Sequence, residues 1–339
     1  MTYQSDAPLT SPEARLFFGI RWAISRHEAI AAAAEQRLTD TTREAVARIT
    51  APLGAGVSLS SLAGWADTIK RRPPTADDDA DTVAFLNDDR NKGQPTWHYV
   101  DIPCQADGYD RAKYPEFTRD DDVVQMIAEA VRVFTAGSTR FSQLNALRLI
   151  VHLVGDVHQP VHVGCSYIDK SSTPAKLVLD PAVAASQHLH DDHGGGYLLL
   201  PGNGNLHGYW DGKIGSVGAG DDGGDDHDHE RDFADASPEL RALFVQKLVD
   251  MTAALPRASA GVRAAGDPAR WAEEWATKSL MAAREAYASL RITGASGNTN
   301  FKVSWEGKPA YDARCRPVAN ERLASAVRNL ADLLNRILG

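Results

Sequence analysis

The segment His152-Leu-Val-Gly-Asp156-Val-His158-Gln-Pro160-Val-His162 constrains this chain more than any other stretch. In a helix, His152 and Asp156 stand one turn apart on the same face, so both can reach one ion. Pro160 then ends or bends the helix and can turn His162 in another direction. One segment can thus aim two ligand sets, as a centre with more than one metal requires. The plainer reading of any single His–Asp pair at this spacing is a polar pair with no ligand.

Further blocks shift that balance. His98 lies in Thr96-Trp-His-Tyr-Val-Asp101-Ile-Pro103, and Asp67 in Leu62-Ala-Gly-Trp-Ala-Asp67. His207 and Asp211 repeat the one-turn spacing in Asn205-Leu-His-Gly-Tyr-Trp-Asp211, and His27 closes Trp22-Ala-Ile-Ser-Arg-His27. Histidine and carboxylate without cysteine suit zinc kept available for catalysis. The three cysteines, Cys104, Cys165 and Cys315, are widely spaced with no CxxC, so a cysteine zinc site is not expected and at most one disulfide could form.

In this order the blocks resemble the S1/P1 nuclease family, zinc-dependent nucleases that share ancestry with bacterial zinc phospholipase C. The family pattern runs Trp-Gly-x-x-Gly-His, Trp-Ala-Asp, His-[Phe/Tyr]-[Ile/Val]-Asp, His-x-x-Gly-Asp-x-x-Gln-Pro-x-His and Asn-Leu-His-x-x-Trp-Asp. The resemblance implies an all-α fold and a cluster of three Zn2+ ions. By that match Asp67, His98, His152 and Asp156 hold one zinc. Asp156 also bridges to a second, bound by His27 and Trp22, while His162, His207 and Asp211 hold the third. Asp67 and Asp156 would carry the hydrolysis, with Lys70 where the family often has an arginine near the scissile phosphate. Tyr99 matches a base-stacking aromatic and Asp101 an acid that bonds the stacked base. On the residues alone, Tyr99 reads equally well as a core aromatic and Asp101 as a local cap. His158 is expected to be structural.

The chain departs from the pattern at the first block. Trp22 is the mature N-terminus in secreted members, where its amine binds zinc. Here 21 residues precede it, and an amide nitrogen is a poor ligand. Ala23 and Arg26 replace the family glycines. If Trp22 is internal in the working protein, the His27 site is expected to be weak or absent, with the bulk and charge of Arg26 weakening it further.

The implied function is an endonuclease cutting single-stranded DNA and RNA to 5′-phosphorylated products, with 3′-nucleotidase activity beside it. The alternatives are a phospholipase C-like phosphodiesterase and a non-catalytic zinc-binding protein. Asp211 favours the nuclease, because the phospholipase branch tends to place Glu there. A net charge of −9 excludes a broad basic nucleic-acid surface, but not a nuclease whose cations are metals. No apolar run is long enough to span a membrane. Leu16-Phe-Phe-Gly-Ile20 is too short for the apolar core of a signal peptide, so the compartment stays open although the family is usually secreted or periplasmic. A monomer is the default expectation.

Residues 1–21 read as a disordered extension, and 22–339 as one mostly helical domain with an acidic loop near 215–233. Helices are expected from His27 to about Ile49, Asp122 to Phe134, Phe141 to Val157, Pro238 to Leu255, Pro268 to Ser289 and Ala319 to Leu338. Leu177–Leu179 and Tyr197–Leu200 read as a short hairpin. His188, His190 and His193, like His227 and His229, read as solvated loop histidines rather than an extra metal site.

Overall fold

The computed structural model describes residues 24–212, 214, 237–256 and 266–339. Trp22, the extension before it, the acidic loop and its histidines lie outside them. The described chain is mainly helical: α1 Ile24–Glu35, α2 Asp40–Thr50, α3 Leu59–Leu62, α4 Trp65–Thr68, α5 Ala80–Asn87, α6 Val123–Thr135, α7 Gln143–His158, α8 Pro181–Ser186, α9 Leu206–Gly212, α10 Pro238–Ala254, α11 Trp271–Tyr287 and α12 Lys308–Leu338.

Helix α7 is the axis of the fold. Ser142 caps its first turn by accepting from the Asn145 N–H, and the residues from Leu144 to His158 are all buried. A helix buried on all sides lies in the middle of a core, and α1, α6, α11 and α12 pack around it. At its end Gln159 leaves helical geometry, and Pro160 opens a single 3-10 turn, Pro160–His162. The proline thus redirects His162, as the sequence suggests.

Three local expectations need correction. The helix expected from His27 to Ile49 is two helices, because Thr39 caps a new start with its hydroxyl and accepts from the Thr42 N–H. The last helix begins at Lys308 and carries Pro317 inside it, so that proline is tolerated rather than obeyed. The proposed hairpin does not form. Strand β4 Lys176–Val178 pairs with β3 Tyr167–Asp169, which also pairs with β5 His190–Asp191. Strand β6 Leu198–Leu200 pairs with β7 Gly204–Asn205 and, in parallel, with β9 Asn300–Ser304. The hairpin of β8 Arg291–Ser296 with β9 went unread. Its signals are a left-handed Gly297 at the turn and period-two burial of Phe301 and Val303.

One small pairing positions the site. Strand β1 Ile102–Pro103 runs parallel to β2 Gly164–Cys165. Before it, the Val100 N–H donates to the His162 carbonyl at 2.8 Å, and the Ile102 N–H donates to that of Val163 at 3.1 Å. The His98 block is thereby stitched along the residues that follow α7.

Candidate metal centre

Three groups of ligand-type side chains converge among the described residues: His27, His152 and Asp156; Asp67, His98 and His152; and His162, His207 and Asp211. Asp156 is their hinge. Its Oδ2 lies 2.8 Å from His98 Nδ1 and 3.1 Å from His152 Nε2. Its Oδ1 lies 3.1 Å from His162 Nδ1 and 3.4 Å from His27 Nε2. Asp67 approaches from α4, with Oδ1 3.6 Å from His152 Nε2 and 3.8 Å from His98 Nδ1. On the far side, Asp211 lies 3.5 Å from His162 Nε2 and 3.3 Å from His207 Nε2. The His162 and His207 rings stack at 5.0 Å, and those of His27 and His152 at 4.0 Å.

Backbone carbonyls aim these rings. His152 Nδ1 bonds the Ala63 carbonyl at 2.6 Å, and His207 Nδ1 bonds that of Gly194 at 3.1 Å. A carbonyl only accepts, so each Nδ1 carries the proton and each Nε2 turns a lone pair inward. This outer bonding is how ligating histidines are usually held. Gln159 orients Asp211 by donating to its Oδ1 at 2.9 Å. The Gly194 loop is anchored by buried Asp192, which accepts from the Ser166 hydroxyl, the Gly195 N–H and the Tyr287 hydroxyl. Burial still pushes that carboxyl up to about 6 against those bonds.

The donor set fits a cation. Imidazole nitrogens and carboxylate oxygens face one another across 2.8 to 3.8 Å, and His98 Nδ1 comes within 3.1 Å of His152 Nε2. His27 Nδ1 and both ring nitrogens of His162 are buried without an aligned hydrogen bond. Protons alone divide the cluster unevenly. Burial drives His98 down to about 4 despite Asp156. Burial, with His152 adding to it, also lowers His27. For His162 burial is overcome by Asp156 and Asp211, which lift it to about 10. Burial would raise Asp156 and Asp211, yet the surrounding imidazoles hold both well below the usual carboxylate range.

The residues expected to meet substrate stand beside this cluster. Lys70 Nζ lies 2.6 Å from Asp67 Oδ1. Tyr99 is half-buried, with the Arg119 guanidinium 5.0 Å from its ring centroid and the His193 ring edge-on at 5.8 Å. Burial, reinforced by Asp191, pushes the Asp101 carboxyl up to about 7.

Other histidines and cysteines fall outside the cluster. His158 Nδ1 bonds the Val154 carbonyl, and its Nε2 accepts from the Asn329 amide at 2.7 Å, so both nitrogens face away from the ligands. His188, His190 and His193 do not gather into a ligand group among the described residues. All three cysteines are buried and free.

Sequence reasoning missed the part played by Arg26. Its guanidinium crosses to donate to the carbonyls of Ile214 at 2.8 Å and Gly212 at 3.3 Å, just beyond Asp211. Burial lowers its pKa to about 10, partly offset by Asp211, so it stays a cation at neutral pH. The residue next to one ligand therefore ties down the segment that carries another.

A family model described as S1/P1 Nuclease matches residues 22–339. No curated protein matches the chain.

Proposed function

The chain belongs to the S1/P1 nuclease family, and from that premise we propose that it is a zinc-dependent nuclease. It would hydrolyse phosphodiester bonds of single-stranded DNA and RNA to leave 5′-phosphates, and remove phosphate from 3′-nucleotides. The observation that carries the reading is the position of Asp156, whose two oxygens face two different sets of imidazoles.

Asp67, His98, His152 and Asp156 would hold one zinc, His27 and Asp156 a second, and His162, His207 and Asp211 the third. Trp22 is proposed to complete the second site on the resemblance alone. Bound zinc supplies Lewis acidity toward the phosphoryl group and the attacking water. The protein's own share is placement. The Ala63 and Gly194 carbonyls fix which nitrogen each imidazole presents. Lys70 offsets the charge of Asp67 and adds a cation near the incoming phosphate, without the two-pronged geometry of arginine. Tyr99 offers a ring to a base, worth about 1–3 kcal/mol and indifferent to sequence. Asp101, with its carboxyl at about 7, can donate to or accept from the base edge.

One assay tests the proposal. Zinc-loaded protein is offered single-stranded DNA, RNA and phosphatidylcholine, with Asp156→Ala as control. Strand cleavage with 5′-phosphate ends, lost in the control, is the expected result. Activity on lipid alone would move the protein to the phospholipase branch, and zinc binding without hydrolysis would make it a binding protein.

A further inference from the structure

The mouth of the cluster carries several cations, and most are already committed. Lys70 pairs with Asp67. Arg72 grips Asp78 with two bonds of 2.7 Å and donates to the Thr68 carbonyl. Arg119 donates to the carbonyls of Thr96 and Tyr99 while its guanidinium lies over the Tyr99 ring. Between Lys70 and Arg72 stands Arg71, exposed and without a side-chain partner among the described residues.

The Arg71 backbone is left-handed, with φ of 54°. That conformation is unfavourable for a residue with a Cβ and persists only where neighbours impose it. Here the ion pairs of Lys70 and Arg72 fix the chain on both sides. Among the described residues, the other non-glycine positions with positive φ are His188 and His193. His193 sets its ring against Tyr99, and the charge of Arg71 acts on the Tyr99 hydroxyl. His193 thus packs on Tyr99, while Arg71 follows Lys70 directly at the Asp67 edge of the cluster. Strain of this kind gathers at binding sites.

We propose that Arg71 takes a phosphate adjacent to the scissile one, so that this protein favours single-stranded polymer over mononucleotide. The inference rests on the nuclease reading. A nucleotide within a chain has a phosphate on each side of its sugar. With its base on Tyr99 and one phosphate at the Asp67–Lys70 edge of the cluster, the other phosphate needs a separate cation. An uncommitted guanidinium can grip it with two parallel hydrogen bonds.

The test uses the full-length, zinc-loaded protein and a phosphorothioate oligothymidylate that resists cleavage. Arg71→Asn removes the charge but tolerates the left-handed backbone. Arg71→Lys keeps a point charge, and Arg37→Asn, a distant exposed cation, controls for net charge. The Arg71→Asn variant is expected to bind about tenfold more weakly, the size of one good charge-assisted contact. The slope of log affinity against log salt should shrink by about 0.7, the value for one phosphate of a single strand. Arg71→Lys should restore the slope, and Arg37→Asn should match the parent. On a cleavable strand KM should rise with little change in kcat. An Arg71→Asn slope equal to the parent's, in a parent that binds, overturns this inference alone. A parent that neither binds nor cuts the strand removes the nuclease reading and the inference together.

Discussion

The two halves of the candidate centre are built differently. The half around His27, His98, His152 and Asp156 is set into the core, where each of these residues is at most 4 % exposed. The half around His162, His207 and Asp211 sits at an edge, its side chains 13 %, 33 % and 27 % exposed. The core half is held by helices packed on α7. The edge half stands on a 3-10 turn and a seven-residue helix, anchored by buried Val161, Leu206, Tyr209 and Trp210, and its ligands are oriented by hydrogen bonds involving Gly194, Gln159 and Arg26. Packing resists displacement at every contact, whereas a few hydrogen bonds can be lost one at a time. The core half should therefore be preassembled, and the edge half should be the one that depends on its supports.

Asp156→Ala is the largest expected perturbation, because it removes the residue that faces both halves. Activity should fall more than about 10³-fold, matching the several kcal/mol that Lewis-acid stabilisation supplies. Zinc stoichiometry by mass spectrometry should drop by the two ions of the core half, both of which Asp156 would help to hold. Loss of one ion alone would show that Asp156 does not serve two zincs.

Two glycine substitutions separate the halves. In a helix interior, glycine to alanine ordinarily gains about 1 kcal/mol. At Gly155 the new methyl would overlap the His27 ring, which is itself buried. Gly155→Ala should instead destabilise by about 1–3 kcal/mol, the usual cost of overpacking. Gly194 has φ of 55°, and a methyl there would overlap the Val161 carbonyl oxygen and crowd His207. Gly194→Ala should weaken zinc at the edge half while the melting temperature moves less than in Gly155→Ala. The reverse order of melting temperatures would contradict the comparison.

The same contrast explains what the sequence could disclose. His152 with Asp156, and His207 with Asp211, are legible because helix geometry acts over one turn. The meeting of Asp67 and His98 with α7 was legible only through the family resemblance. It is made by a two-residue strand pairing and by helix packing, neither of which leaves a local pattern. One of the two partners of Leu198–Leu200 lies beyond residue 299, so its short apolar run gave no hint of that pairing. The bonds of Arg26 to the Gly212 and Ile214 carbonyls leave no local pattern either, and adjacent residues on a helix point about 100° apart. His27 turns to the core half while its neighbour crosses to the edge half.

Arg26→Met probes that crossing. It keeps much of the apolar stem and removes the bonds to the Gly212 and Ile214 carbonyls. One zinc should weaken by about 10–100-fold, the range for lost outer support of a ligand, as read by chelator competition. Arg26→Lys should recover part of it. Unchanged affinity for every zinc would mean that the edge half holds its shape without the tether.

The smallest effect is expected at the rim, from Asp101→Asn. The Asp101 carboxyl has an ordinary value of 3.8 and stands at about 7 in the folded protein, so folding favours its protonated form. Its contribution to stability is complete below 3.8 and is lost as pH rises through about 7. Relative to the asparagine variant, which keeps a neutral amide at every pH, the parent should therefore lose stability on going from acid to alkaline buffer. Substrate affinity should follow the same titration. The acid form can donate to a base and the carboxylate can only accept, so the parent's KM should change across pH 7 by a few-fold. In Asp101→Asn that dependence should flatten, because the amide both donates and accepts throughout. A KM profile with the same inflection in both proteins would place the titrating group elsewhere and leave Asp101 to the fold.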